Sequence, residues 1–193
     1  MSTGTRLTTE APEVAGKHTH WMIDPHHSFV EFGVKHMMFT TVKGRFTGIT
    51  GVIHCEDEDD PTTARVEATI ETATIDTSEA NRDAHLRSPD FLDAEQFPAI
   101  TFKSKRVERR GADEFRMTGD LTIRDVTREV GLEMTYNGRG KNPFGKEVAG
   151  FTAETTINRK DFGLKWNVAL ETGGMLVGDK LDILIEIQAV KEE

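Results

Sequence analysis

The chain has 193 residues, enough for one ordinary domain with a real core or an enclosed cavity. Its 33 acidic and 24 basic residues leave a net charge of -9, which repels phosphate backbones and anionic lipid surfaces. No Lys/Arg cluster is interleaved with aromatics, so nucleic acid is excluded as an expected partner. The first twenty residues lack the apolar run of a signal peptide, nowhere do about 18 apolar residues follow one another, and the single Cys55 cannot form an internal disulfide. The expectation is a cytoplasmic protein without a transmembrane segment, periplasmic or secreted only if a leader has been removed.

In chain order, residues 1–17 are polar, small and without period, and read as a flexible tail ahead of a single domain at 18–193. From Trp21 onward the dominant period is two. Val30, Phe32 and Val34 alternate with Glu31, Gly33 and Lys35, the pattern of a strand with one face on a core, and counting on by two lands on His36. The acidic run Glu56 to Asp60 lacks calcium-loop spacing and reads as a solvated loop. Alternation then recurs in Val66, Ala68 and Ile70, in Ile100 and Phe102, in Leu121 and Ile123, and in Val130, Leu132 and Met134. It closes with Phe151, Ala153 and Thr155, and with Leu181, Ile183, Ile185 and Ile187.

Turns are expected at Asp59-Asp60-Pro61, Arg110 to Asp113, Asn137-Gly138 and Asn142 to Gly145. One segment breaks the period: residues 78–92 are rich in helix-compatible residues, with Ser88-Pro89 as an N-cap followed by proline. About eight long strands joined by short turns imply an all-β fold, an eight-stranded antiparallel up-and-down barrel with a short helical insertion. Small residues on the inward faces, Gly44, Gly48, Gly119, Ala68 and Ala153, favour a ligand cavity over a filled interior.

Catalytic candidates are weak. His18, His20, His26 and His27 crowd the approach to the first strand at H-x-H spacing, but no Cys or carboxylate completes a fixed set, so no metal site is expected. Ser28 beside His27 is no triad, because neighbours in a strand point to opposite faces. His85 reads as a polar helix-face residue. Arg82, Arg87 and Arg159 could meet a head group at the barrel mouth.

An ordered set of motifs runs through the chain: Trp21-Met22-Ile23-Asp24, Lys43-Gly44-Arg45-Phe46, Arg82-Asp83-Ala84-His85-Leu86, Phe97-Pro98-Ala99-Ile100-Thr101-Phe102, Pro143-Phe144-Gly145 and Asn158-Arg159-Lys160-Asp161-Phe162-Gly163. It resembles the YceI-like family, polyisoprenoid-binding proteins with a lipocalin-like barrel. Asp125 and Leu92 depart from the family pattern, where glycine and phenylalanine are usual.

The resemblance implies a lumen that takes a long apolar ligand, a polyprenyl chain or an isoprenoid quinone, with no catalytic residue, no metal and no cofactor beyond such a bound lipid. The expected binding wall is Phe32, Val34, His36, Phe46, Ile70, Phe91, Ile100, Phe102, Leu121, Ile123, Val130, Leu132, Met134, Phe151, Ile183 and Ile185. His36 is either a satisfied core histidine or the group that meets the ligand's polar end. A non-catalytic carrier leads. The alternatives are an accessory or enzyme acting on an isoprenoid quinone and a carrier of a fatty-acid or amide lipid; a homodimer is left open.

Overall fold

The computed structural model describes residues 18–192; the expected tail at 1–17 lies outside the described residues. The strands are β1 (Thr19–Ile23), β2 (Phe29–His36), β3 (Thr40–Phe46), β4 (Ile49–Cys55), β5 (Arg65–Glu71), β6 (Ile75–Asp76), β7 (Ala99–Arg109), β8 (Glu114–Ile123), β9 (Val126–Lys141), β10 (Glu147–Asn158) and β11 (Val177–Lys191). One helix, α1 (Ala80–Arg87), lies between β6 and β7. No described helix is long and apolar enough to cross a membrane.

β1 pairs antiparallel with both β4 and β11, which closes the ring β1-β4-β5-β7-β8-β9-β10-β11 into an eight-stranded barrel. The expected strands are present, two of them split. β1 and β2 both lie antiparallel on β11, as two halves of one stave. Between them Pro25 supplies no N–H for a ladder. Ser28 instead holds the gap, its Oγ accepting from the Gln188 N–H at 3.1 Å and donating to the Gln188 carbonyl at 3.3 Å. β3 and β4 form the second split stave; β3 pairs with β2 and the short β6, whereas β4 pairs with β1 and β5.

Closure gives the barrel two unlike ends. At the rim end stand Thr19, Cys55, Arg109 and Lys191; at the other end α1 and the chain around it fill the space beside β6. The helix lies inside the expected segment 78–92, but Ser88-Pro89 ends it rather than starting it. It starts at Glu79, whose carboxylate accepts from the Asn81 and Arg82 N–H groups, and it stops at Ser88, because the residue before Pro89 is driven out of the helical region. Buried Asp83 then docks α1 on the barrel, accepting from the Thr77 N–H at 2.9 Å and the Thr77 hydroxyl at 2.5 Å.

A second correction concerns Asn137-Gly138, which is no hairpin turn. Tyr136 opposes Phe151 and Gly138 opposes Gly150, so Asn137 is the extra residue of a bulge inside β9, with Gly138 at φ 112°. The turn lies further on, where Asn142 Oδ1 accepts from the Phe144 and Lys146 N–H groups.

The small inward residues also act differently from one another. Ala68 and Ala153 face the cavity, but the space at Gly44 is taken by the Phe32 ring and that at Gly119 by the Phe102 ring. Gly48 faces Thr74 and Glu71 instead. At Gly119 a Cβ would stand 2.5 Å from the Lys103 carbonyl oxygen and 2.8 Å from Ser104 Cα, which only a backbone shift could relieve. Gly119→Ala is therefore expected to lower unfolding free energy by about 1–3 kcal/mol, read from the urea midpoint. Gly140→Ala, with nothing within 4 Å, is the control expected to leave it unchanged.

Candidate functional site

The barrel encloses a cavity of about 580 Å³, within the range of sites that hold a small ligand. β2 and β3 contribute Val30, Phe32, Val34 and Phe46, and β5 and β7 contribute Val66, Ala68, Ile70, Ile100 and Phe102. β8 and β9 contribute Phe115, Met117, Leu121, Ile123, Val130, Leu132 and Met134; β10 and β11 contribute Phe151, Ala153, Ile183 and Ile185. Phe91, after α1, completes the wall at the helix end beside Leu92 and Leu164. From Phe115 to Ile123 the lined part of β8 is about 27 Å of strand, or about 20 Å along the axis at the usual tilt.

Every residue expected in the wall lines this cavity except His36. That expectation is corrected: His36 is the last residue of β2, half-buried and outside the lining. The count by two holds along β2, which pairs with β3 without a break from Val30 to His36; on this strand the lining ends at Val34, and His36 stands past it as the last residue. His36→Leu is accordingly expected to leave affinity for a prenyl lipid with a polar head group equal to that for its hydrocarbon tail, measured by competition against a fluorescent probe.

The three arginines considered for a head group are tied up in holding the helix end. Arg82 donates to the Thr77 hydroxyl at 2.7 Å and its carbonyl at 2.9 Å, and Arg87 donates to the Ala73 and Ile75 carbonyls at 2.8 and 2.7 Å. Arg159 is 2 % exposed and reaches the cavity floor. Its guanidinium donates to the carbonyls of Leu164, Trp166 and Gly178 at 2.6 to 2.9 Å, with Asp179 at 3.5 Å. Burial pushes its pKa down and Asp179 pulls it back, and a guanidinium stays charged through such a shift.

Polar lining residues concentrate at the rim: Glu58, Asp59, Arg109, Asp113, Tyr136 and Arg139. The acidic run is more than a solvated loop. Glu58 reaches from the β4–β5 connection to Arg139 Nη1 at 2.8 Å and to Lys191 Nζ at 2.8 Å. Arg139 lies on β9, the stave farthest from β4 in the ring order. This segment therefore forms a strap at the mouth, and only long-range pairing could reveal it. Beside it, Tyr136 packs against Phe151 with ring centres 5.5 Å apart, and burial raises its phenol pKa, which keeps it a neutral donor. The Cys55 thiol is raised too, first by burial and then by the Glu58 charge, the opposite of what activates a nucleophile.

The remaining histidines lie off the cavity wall. His27 bonds Asp24 at 2.8 Å on the surface. His85 bonds Asp90 at 2.9 Å and stands edge-on to Phe91 and Trp166.

The model of the YceI-like domain matches residues 21–189, nearly the whole barrel. The chain belongs to the YceI-like family. Protein YceI of Escherichia coli O157:H7 is 37% identical over 167 residues, covering 86% of this chain and 83% of that protein. Among solved structures, the Campylobacter jejuni YceI protein superposes with a TM-score of 0.70 at 31% identity, over 82% of this chain and 90% of that one. A polyisoprenoid binding domain from Saccharophagus degradans superposes with a TM-score of 0.68 at 11% identity, over 89% of this chain and 98% of that one. That last likeness is one of fold. In this YceI-like chain Leu92 lines the helix-end wall and Asp125 sits in the β8–β9 turn after Arg124, which has φ 57°.

Proposed function

We propose that this protein is a non-catalytic carrier that sequesters a long isoprenoid-type lipid, a polyprenyl chain or an isoprenoid quinone, in its barrel. The observation that carries the reading is a lengthwise apolar cavity whose polar side chains stand at the rim, while the buried cation at its floor spends its N–H groups on backbone carbonyls. Such a shape takes a tail into its depth and leaves a head group near the strap. Each methylene moved out of water contributes about 0.8 kcal/mol, so a partly inserted prenyl chain binds tightly without reaction chemistry. The non-catalytic part is supported by the raised Cys55 thiol and by the positions of His27 and His85 away from the wall. The isoprenoid part is supported by family membership and by the description of the Saccharophagus degradans domain.

Organic extraction of protein purified from its own host, followed by mass spectrometry, tests the reading. Recovery of a prenyl lipid is expected; absence of any lipid, together with no binding of added prenyl alcohols or quinones, overturns it. Turnover of a quinone by the protein alone would replace it with the enzymatic reading. Because Glu58 ties the strap to β9 and β11, Glu58→Ala is expected to speed release of a bound fluorescent prenyl probe in stopped flow while the barrel stays folded. An unchanged release rate would show that the strap does not gate the mouth.

A further inference from the structure

The strand that closes the barrel and its neighbour β4 together present a pair of side chains that the cavity does not use. Trp21 and Ile23 of β1, and Ile53 and Cys55 of β4, line the interior, so the alternating His20 and His54 stand on the outer face, both exposed. They are direct cross-strand partners. Their Nδ1 atoms are 2.6 Å apart, with the rings edge to face and centres 4.6 Å apart. On the other flank the His20 carbonyl accepts from the Glu192 N–H at 2.8 Å, which sets exposed Glu192 beside His20 just past the end of β11.

Two imidazole nitrogens this close share one proton: one ring donates and the other offers its lone pair. A cation that replaces that proton would draw on both lone pairs. We propose that His20 and His54 form a binding site for a borderline divalent cation of the Zn²⁺, Ni²⁺ and Cu²⁺ type, with the Glu192 carboxylate as third donor. Imidazole with one carboxylate suits these ions, whereas Ca²⁺ and Mg²⁺ call for oxygen ligands. With metal–nitrogen bonds of about 2.0–2.1 Å, a tetrahedral ion sets its nitrogens about 3.3 Å apart, so the two exposed rings open slightly to admit it.

Among the described residues no three ligating side chains already converge. The preformed element is the pair, and Glu192 completes it by side-chain rotation. Arg65, opposite His54 on β5, turns a guanidinium nitrogen to the Ala64 carbonyl at 3.0 Å. The bound ion joins β11, β1 and β4 across the seam at which the barrel closes, so its occupancy strengthens the closure itself.

The test titrates Zn²⁺ alone into the full chain after chelator treatment, followed by calorimetry and by thermal unfolding. One equivalent is expected to bind and to raise the unfolding midpoint. His20→Ala and His54→Ala should each weaken binding at least as much as the about 10–100-fold that outer-shell partners are worth, and should abolish the rise in midpoint. Glu192→Gln should weaken binding less, and the His26→Ala/His27→Ala double variant should bind like the parent. Both histidines are exposed, so each variant is checked for an unchanged metal-free midpoint, and either one reads the site. Parental affinity in His20→Ala and His54→Ala, loss of binding in the His26/His27 variant, or no binding by the parent chain would each overturn the proposal.

Discussion

Leu132→Trp and Ile123→Trp proteins are expected to fold and to retain little or no long-chain prenyl lipid. Both side chains are buried in the cavity wall, Leu132 opposite Met117 on the neighbouring strand and Ile123 nearer the helix end. An indole at either position keeps the lumen apolar while closing its cross-section, which the small Ala68 and Ala153 help to keep open. Overpacking should cost about 1–3 kcal/mol of stability, visible as a lower urea midpoint in a still cooperative transition. Lipid stoichiometry after delipidation and reloading, measured by mass spectrometry, is expected to fall close to zero for Leu132→Trp. Because Ile123 lies deeper, Ile123→Trp should still admit short prenyl chains and exclude long ones. Full stoichiometry in both folded variants would place the ligand outside the barrel.

Arg159→Leu is expected to destabilise the protein by about 1–3 kcal/mol for each buried carbonyl left without a donor, while the partly exposed Asp179 keeps Lys160 at 2.9 Å. The guanidinium joins the end of β10 to the Leu164, Trp166 and Gly178 carbonyls and faces Asp179. Those carbonyls lie on the segment that seats Leu164 in the floor of the cavity. Arg159→Lys should rescue little, since an ammonium cannot reproduce a planar fork that serves several acceptors at once. Urea unfolding measures the loss, and amide hydrogen exchange should localise it to residues 160–178. A change below about 1 kcal/mol would mean that the carbonyls find water instead.

The strands were legible because half-burial imposes a period of two that the residues carry themselves. Val130, Leu132 and Met134 needed no partner to be placed on one face, and they share it. Phe115 and Met117 continue the β8 alternation and could have been found by extending the same count past Gly119. The exclusion of His36 could not, because where the lined lumen ends along β2 depends on the strands and loops around it and not on the alternation within β2. Asn137-Gly138 is a good turn signal read alone, and only the pairing of β9 with β10 makes it a bulge.

The all-β class, the apolar face of each long strand and hence the nature of the wall follow from the residue order alone, because alternation is a local consequence of strand geometry and burial. Ring closure is what makes one end of the barrel polar, ties Glu58 across the mouth to β9 and β11, turns Arg159 into a buried clasp and brings His20 to His54. Each of these joins residues distant in the chain through ring closure and register. A local pattern carries no information about which strand lies opposite, so charges and histidines that look solitary in the sequence acquire partners only when the barrel closes.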